Sequence, residues 1–192
     1  MATPENSNVQ LIIARGGRPQ TLTFTPQHIL SRSREAYAVY RNGNYVYKVY
    51  RSRETGQHSR ALLSYTLAEE YGLPVASWNI SNCTVRVGNA QPLQGYVEIT
   101  RMITDGGFFS LQHGDGVFRS ALRSVTDRRA LQHIVRGCEA AVAVGLRDPQ
   151  GFIRPTSVGQ PIVFIDIHTS NSPASAQVLL AIARARLQEV NH

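Results

Sequence analysis

The chain has 192 residues, enough for one domain or for two small lobes that share one core. Hydrophobic residues make up 42% and charged residues 17%, proportions that are ordinary for a folded globular protein and exclude extended disorder. The formal net charge of +7 favours an anionic partner such as nucleic acid, an acidic membrane or a nucleotide phosphate. Because the arginines are scattered and form no basic arm, we do not expect a nucleic-acid partner.

The first predicted elements are short strands. Four segments rich in β-branched or aromatic residues are predicted to be strands: residues 10–14, 21–24, 36–41 and 45–51. Gly16-Gly17 separates the first two, and Asn42-Gly43-Asn44 separates the last two. Asn-Gly between two such runs is a strong signal for a β-hairpin. The alternating tyrosines of this hairpin favour a cross-strand aromatic ladder over a surface that stacks nucleic-acid bases.

Helices then alternate with further strands. Residues 59–71, 127–144 and 175–190 are predicted helices; residues 84–87, 95–102 and 161–167 are predicted strands, and 145–161 a loop. Gly72 and Pro74 end the first helix, and Asp127 lies near the start of the second. Strands, then a helix, then more strands, then mostly helix is an α+β order.

The termini and the isolated reactive residues point to no further chemistry. Residues 1–9 are polar and lack the basic and apolar regions of a signal peptide, and no run is long enough to span a membrane. We therefore expect a soluble chain without a cleaved signal peptide. Its polar N-terminal segment is compatible with bacterial injection systems and equally with a segment that has no role in secretion. Cys83, Cys138 and the six histidines match no metal-ligand spacing.

Three residues carry the candidate chemistry: Lys48, Asp148 and Asp166. Transfer of a phosphoryl group from ATP needs a cation on the phosphates, a carboxylate that orients the attacking hydroxyl and another that holds magnesium. Lys48 is the only lysine beside nineteen arginines, and it closes the motif Tyr-Val-Tyr-Lys within the predicted strand 45–51. Asp148 follows the long second helix, and Asp166 ends an apolar strand. Their separation of 18 residues suits a loop and a short hairpin that bring both carboxylates to the same end of a sheet.

With these motifs in this order, the chain resembles a protein kinase reduced to its minimum, over roughly residues 29–190. It is most similar to the small type III effector kinases that bacteria inject into host cells, a group that phosphorylates the host's ninety-kilodalton heat-shock chaperone. The resemblance implies a reduced bilobal α+β fold in a monomer. Residues 1–26 would be a polar leader with short strands, 27–103 an N-lobe with an antiparallel sheet and one helix, and 104–192 a truncated, mostly helical C-lobe.

The resemblance also implies roles for individual residues. Lys48 would contact the α- and β-phosphates of ATP, Asp148 would be the catalytic base and Asp166 a magnesium ligand. Gln150 is the oxygen donor available where a second metal ligand, normally an asparagine, is absent. The adenine-binding hinge would be Thr100, Arg101, Met102 and Ile103, with Thr100 as gatekeeper. The residues that would replace the glycine-rich loop at the phosphates are Ser31, Ser33, Arg34 and Ala36.

The chain departs from the kinase pattern at several positions. Residues 31–36 contain no glycine, Leu146 stands where a histidine is usual, and Ile167-His168 replaces Phe-Gly after the metal-binding aspartate. None of Glu54, Glu69 and Glu70 is a clear partner for Lys48. The leading prediction is an ATP- and magnesium-dependent Ser/Thr protein kinase that acts as an effector or toxin on a host protein. The alternatives are a small-molecule phosphotransferase of the same fold and a basic, non-catalytic pseudokinase module.

Overall fold

A computed structural model describes residues 6–15, 18–31, 36–51, 55–170 and 174–190. Within these ranges the fold is α+β, as predicted, with four helices and two antiparallel sheets. The strands are β1 (Val9–Arg15), β2 (Arg18–Phe24), β3 (Ile29–Ser31), β4 (Ala38–Asn42), β5 (Tyr45–Arg51), β6 (Trp78–Val87), β7 (Leu93–Arg101), β8 (Gly107–Ser110), β9 (Gln150–Ile153) and β10 (Ile162–Ile165). The helices are α1 (Thr55–Glu70), α2 (Gly116–Arg123), α3 (Arg128–Ala143) and α4 (Ala174–Glu189). None of these helices combines the length and the apolar character that a membrane-spanning helix needs.

The chain divides into two compact units. Unit 1 comprises residues 1–60 and 77–102, and unit 2 comprises residues 61–76 and 103–192. Strands β1 to β7 belong to unit 1, whereas β8 to β10 and α2 to α4 belong to unit 2. One boundary falls inside α1, after Arg60, and another falls between Met102 and Ile103, within the predicted hinge.

Unit 1 is built on a seven-stranded antiparallel sheet in the order β2-β1-β6-β7-β5-β4-β3. The predicted hairpin is confirmed: Asn42 pairs with Tyr45, so Gly43 and Asn44 form a two-residue turn. Gly43 has a φ of +57°, the left-handed conformation required at the first central position of a type II′ turn. The strands pair over longer spans than the sequence predicts, because β6 begins at Trp78 and gains partners on both sides from β1 and β7.

The two faces of this sheet carry separate apolar clusters. One cluster contains residues that are among the most buried of the chain: Val9, Leu11, Phe24, Tyr40, Val49 and Val97. Tyr40 lies opposite Tyr47, and the ring of Phe24 is centred 4.7 Å from the first and 5.1 Å from the second. One pair of the hairpin's tyrosines is thus opposed across the strands, and their ring contacts are with Phe24 of β2. The other face carries Ala36, Val39, Tyr50 and Tyr96, with the rings of Tyr50 and Tyr96 stacked 4.4 Å apart.

Unit 2 combines a three-stranded antiparallel sheet, in the order β10-β9-β8, with helices α2, α3 and α4. Helix α3 packs against α4 and β10, while α2 packs against β8 and α4. Phe109 of β8 is completely buried and meets the ring of Phe118, on α2, at 4.9 Å between ring centres. The carbonyl of Pro74 accepts a hydrogen bond from the Phe164 amide, so the segment after α1 lies parallel to β10.

Two elements of unit 2 were not predicted. Strand β8 has only four residues and begins at the second glycine of a Gly-Gly pair, and its partner strand is β9. Helix α2 begins with glycine, a poor helix former, but it buries Phe118 and Leu122 on one face. The loop predicted over residues 145–161 was wrong in part, because it contains β9. The second half of the chain therefore holds a small sheet where the sequence predicts only a brief hairpin.

Helix ends follow the predicted signals. Asp127 caps α3 by accepting a hydrogen bond from the Ala130 amide at 2.7 Å. After α1, Gly72 takes a φ of +67° and the amide of Leu73 bonds to the Ala68 carbonyl, which is the Schellman closure expected of a glycine after a helix. Helix α1 begins at Thr55, four residues earlier than predicted.

Candidate functional site

The Asp148 loop begins at the end of α3 with a glycine that the backbone requires. Gly145 has a φ of +69°, and the amides of Gly145 and Leu146 bond back to the carbonyls of Val142 and Ala141. A side chain at residue 145 would also collide with the carbonyl oxygen of Ser170. The helix therefore stops at one place, and the chain turns directly into the segment that carries Asp148.

Backbone hydrogen bonds tie this loop to the segment that follows Asp166. The Arg147 amide donates to the His168 carbonyl at 2.7 Å, and the Ser170 amide donates to the Gly145 carbonyl at 2.8 Å. Leu146 and Thr169 form an isolated antiparallel bridge between the same segments. Because Leu146 is buried, the pairing has a hydrophobic anchor. The loops that carry the two predicted catalytic carboxylates are therefore held together by the main chain.

The register of the sheet places both carboxylates at one end, which confirms that expectation from the sequence. Gln150, the first residue of β9, lies opposite Ile165, the last residue of β10. Asp148 precedes β9 by two residues and Asp166 follows β10 directly. Ser110, at the end of β8, also pairs with Gln150, so all three strands meet at this end.

Asp166 is held by two neighbouring side chains. Its Oδ2 accepts a hydrogen bond from Nε2 of Gln150 at 2.8 Å, and its Oδ1 lies 3.2 Å from Nε2 of His168. The Asp166 side chain is 25% exposed, whereas that of Asp148 is 44% exposed and lies 3.2 Å from the Arg147 guanidinium. Asp166 is thus the more enclosed and more firmly oriented carboxylate.

Both aspartates adopt an unusual backbone conformation. Asp148 has a φ of +45° and Asp166 a φ of +55°, and no other non-glycine residue of the described ranges has a positive φ. The left-handed region costs most side chains roughly 1–2 kcal/mol, and aspartate is one of the few residues that visits it. Conformations of this kind cluster at active sites and ligand clamps, where surrounding contacts hold them in place.

The same side chains suit a hard cation that is shared with a ligand. In the described part of the chain, His, Cys, Asp and Glu side chains form no group of three or more able to hold a metal alone. Magnesium, however, is usually bound by one or two carboxylates together with substrate phosphates and water. Asp166 supplies such a carboxylate. Gln150 presents its amide nitrogen to Asp166, and rotation of the amide by half a turn would present its oxygen instead. These oxygen donors are of the kind that magnesium prefers.

Lys48 lies in the middle of β5 in unit 1. Its side chain is half-buried and projects from the face opposite the one where Tyr47 and Val49 pack, as the sequence predicts. The register places Lys48 between Val39 on β4 and Glu98 on β7. The glutamates named from the sequence, Glu54, Glu69 and Glu70, do not include Glu98. The sequence signal for Glu98 is a lone carboxylate inside the apolar strand Gly-Tyr-Val-Glu-Ile-Thr.

The predicted hinge begins at the end of β7. Thr100 pairs with Val46 and with Trp78, which places its side chain on the same face as Lys48. The Arg101 amide donates to the Ser77 carbonyl and the Met102 amide donates to the Asn44 carbonyl at 2.8 Å. Ile103 is half-buried and is the first residue of the second segment of unit 2.

The segment predicted to replace the glycine-rich loop is described only at its ends. Ser31 closes β3 opposite Val39, and Ala36 is buried in the apolar cluster around Tyr50 and Tyr96. Ser33 and Arg34 lie outside the described residues.

Both cysteines are buried. Burial raises the pKa of the Cys83 thiol to about 12. Burial, and then the charge of Glu139, raises the pKa of the Cys138 thiol well above its ordinary value. A thiol that stays protonated at neutral pH is a poor nucleophile and a poor metal ligand, so neither cysteine suits a catalytic role.

Comparison of the chain with known proteins finds no matching family model, no matching curated protein and no matching solved structure.

Proposed function

We propose that this protein is an ATP- and magnesium-dependent Ser/Thr protein kinase with a reduced bilobal fold. The observation that carries the proposal is the backbone of Asp148 and Asp166. The two carboxylates chosen from sequence order alone are the two non-glycine residues with positive φ in the described ranges, and they lie at one end of one sheet. Aspartate also adopts positive φ in ordinary turns, so the support comes from the two conformations occurring together at one end of one sheet.

The arrangement supports different roles for the two aspartates. Asp148 is the more exposed carboxylate and is suited to accept the proton of an incoming serine or threonine hydroxyl. The hydroxyl oxygen then forms its bond to the γ-phosphorus as the bond to the β,γ-bridging oxygen breaks, and ADP leaves. Asp166 and Gln150 are the residues that would hold magnesium, which neutralises charge on the phosphates when bound.

The kinase resemblance assigns the remaining contacts to ATP to Lys48, to residues 100–103 and to the segment after β3. Lys48 is a compact ammonium on a rigid central strand, as the α- and β-phosphates require. Residues 100–103 would present backbone groups to adenine. The amides of Arg101 and Met102 already donate to backbone carbonyls, whereas the Ile103 amide has no backbone acceptor among the residues that the structure describes. Ser31, Ser33, Arg34 and Ala36 would lie at the phosphates.

The biological role proposed here rests on the resemblance to injected bacterial effector kinases. On that basis the substrate is a host protein, with a chaperone as the first candidate, and the kinase acts as a monomer after delivery into the host cytoplasm. The +7 net charge is compatible with an anionic nucleotide and an acidic protein substrate.

A two-step experiment tests the proposal. Thermal unfolding is first measured with ATP and magnesium, which should raise the melting temperature because ligand binds only the folded state. The protein is then incubated with γ-labelled ATP and a eukaryotic lysate, and phosphoserine and phosphothreonine are mapped by mass spectrometry. Lys48→Arg and Asp148→Asn should abolish labelling. Asp115→Asn, an exposed aspartate of the same unit paired with Arg119, is the matched control and should retain it.

Each alternative gives a different result. A small-molecule phosphotransferase would label no protein but would consume ATP when the low-molecular-weight fraction of the lysate is added. A pseudokinase module would show the thermal shift without any turnover. Absence of both the thermal shift and turnover would refute nucleotide chemistry altogether.

A further inference from the structure

Glu98 is an unusual residue for the place it occupies. Among the described residues it is the only buried side chain that carries a formal charge, with 4% exposure. Carboxylates are almost never buried unless a cation or several hydrogen bonds compensate, because removing the charge from water is costly. Its neighbours across β6 and along β7, Ile80 and Tyr96, belong to an apolar cluster and offer no positive charge.

The strand register places a cationic residue opposite Glu98. Glu98 lies directly opposite Lys48, and directly opposed side chains of an antiparallel pair have Cβ atoms about 4.5–5.5 Å apart. The positions directly opposite and diagonal to Glu98 on the two adjoining strands are Val46, Lys48, Tyr50, Trp78, Ile80 and Asn82. Lys48 is the only charged residue among them, and it is the only lysine in the chain.

We propose that Glu98 is the carboxylate that positions the Lys48 ammonium for the phosphates. The effect of this pairing on phosphoryl transfer rests on the kinase function proposed above. In protein kinases this lysine is oriented by a glutamate on a helix, whereas here the orienting group comes from the adjacent strand of the same sheet. A partner on a neighbouring strand is fixed by the main-chain hydrogen bonds of the sheet. The ammonium therefore keeps one position relative to the sheet, and its orientation does not depend on the movement of a helix.

The glutamates of α1 are less suited to this role. Glu69 and Glu70 are exposed near the end of the helix. An exposed ion pair is screened by water and restricts a lysine weakly. A buried carboxylate flanked by apolar side chains instead favours one arrangement of its partner, because leaving either charge alone would be costly.

A measurement that does not depend on activity tests the pairing. Reductive methylation with ¹³C-formaldehyde keeps the lysine charged and, since Lys48 is the only lysine, yields one ε-dimethylamino signal in an NMR spectrum. Replacing Glu98 with glutamine should shift this signal at fixed pH, whereas Glu98→Asp should leave it closer to that of the wild type. Glu69→Gln is the matched control and should leave the signal in place. An unchanged Lys48 signal in folded Glu98→Gln protein would overturn the proposal.

Nucleotide binding tests the positioning role. We expect Glu98→Gln to weaken magnesium–ATP binding roughly tenfold in the wild-type background and to cause no further loss when Lys48 is already methionine, since coupled residues are not additive. Equal losses in both backgrounds would show that Glu98 acts independently of Lys48 and would refute the positioning role. If the wild type bound no nucleotide, the kinase proposal would fail while the NMR result would still decide whether the two residues are paired.

Discussion

Nε2 of Gln150 lies 2.8 Å from Oδ2 of Asp166, so the first residue of β9 holds the residue that follows β10. The kinase resemblance assigns both residues to one metal site and expects the amide oxygen of Gln150 to face the metal. In the structure the amide nitrogen of Gln150 faces Asp166 instead. In this arrangement Gln150 orients the carboxylate, and rotation of its amide would make it a ligand.

The first prediction concerns the metal dependence of Gln150 variants. Gln150→Ala should raise the magnesium concentration needed for half-maximal activity by roughly tenfold, because residues that orient a metal ligand typically contribute that much to affinity. Gln150→Glu should keep or improve metal affinity, since it adds a carboxylate oxygen. Gln160→Ala, at an exposed glutamine of the same unit, serves as the control. Unchanged magnesium dependence in Gln150→Ala would reduce Gln150 to a structural residue.

The second prediction separates the two aspartates. Asp166→Asn should weaken magnesium-dependent nucleotide binding, measured by calorimetry, because it removes the charge that faces the metal. Asp148→Asn should leave binding unchanged and lower the transfer rate by roughly a hundredfold or more, since a general base acts mainly in the transition state. The assigned roles would be wrong if both variants lost nucleotide affinity equally.

The third prediction concerns the left-handed backbone at Asp148. Asp148→Ala should lower the free energy of unfolding by about 1 kcal/mol, because alanine tolerates positive φ poorly, whereas Asp148→Gly should be at least as stable as the wild type. Both variants should lose activity. Arg136, an exposed residue within α3, is the control position. There the order of stability should reverse, and the Arg136→Gly variant should be about 1 kcal/mol less stable than Arg136→Ala. Urea unfolding of the four variants makes the comparison, and an alanine variant at residue 148 that is as stable as the glycine variant would argue against strain there.

The fourth prediction compares two glycines that both have positive φ. Gly72→Ala should cost about 1–2 kcal/mol from the backbone conformation alone, because nothing lies near the added methyl group. Gly145→Ala should cost a further ~1–3 kcal/mol, since the methyl group would also collide with the Ser170 carbonyl. It should lower activity as well, because that carbonyl belongs to the segment paired with the Asp148 loop. Equal losses of stability would show that the close approach at Gly145 is readily relieved.

The fifth prediction is a pH dependence of stability at Cys83. Burial raises the pKa of this thiol to about 12, whereas the unfolded thiol ionises near pH 9. The thiol's contribution to stability is therefore complete below pH 9 and is lost as the pH rises from 9 toward 12. The difference in unfolding free energy between wild type and Cys83→Ala should shrink by up to about 1.4 kcal/mol per pH unit above pH 9. Val85→Ala, on the same face of β6, should differ from the wild type by a pH-independent amount.

Elements with strong local signals were predicted well. The Asn-Gly hairpin, the capped helix after Asp127 and the glycine stop at residue 72 all depend on interactions within a few residues. Strand β8 and helix α2 were missed because their local signals are weak. Phe109 and Phe118 are buried against each other, Phe109 also contacts the ring of Phe164, and α2 packs against α4, so both elements depend on distant parts of unit 2.

The sequence by itself determined the α+β class, the alternation that places Lys48 and Tyr47 on opposite faces of β5, and the presence of both aspartates at one end of a hairpin. These properties follow from periodicity and from strand and turn lengths, which are local. Only the tertiary structure decided that both aspartates adopt positive φ, that Gln150 bonds to Asp166, and that Glu98 lies opposite Lys48. Those relationships depend on the register between strands that are distant in the chain, and register is set by the packing of many side chains at once rather than by any one segment.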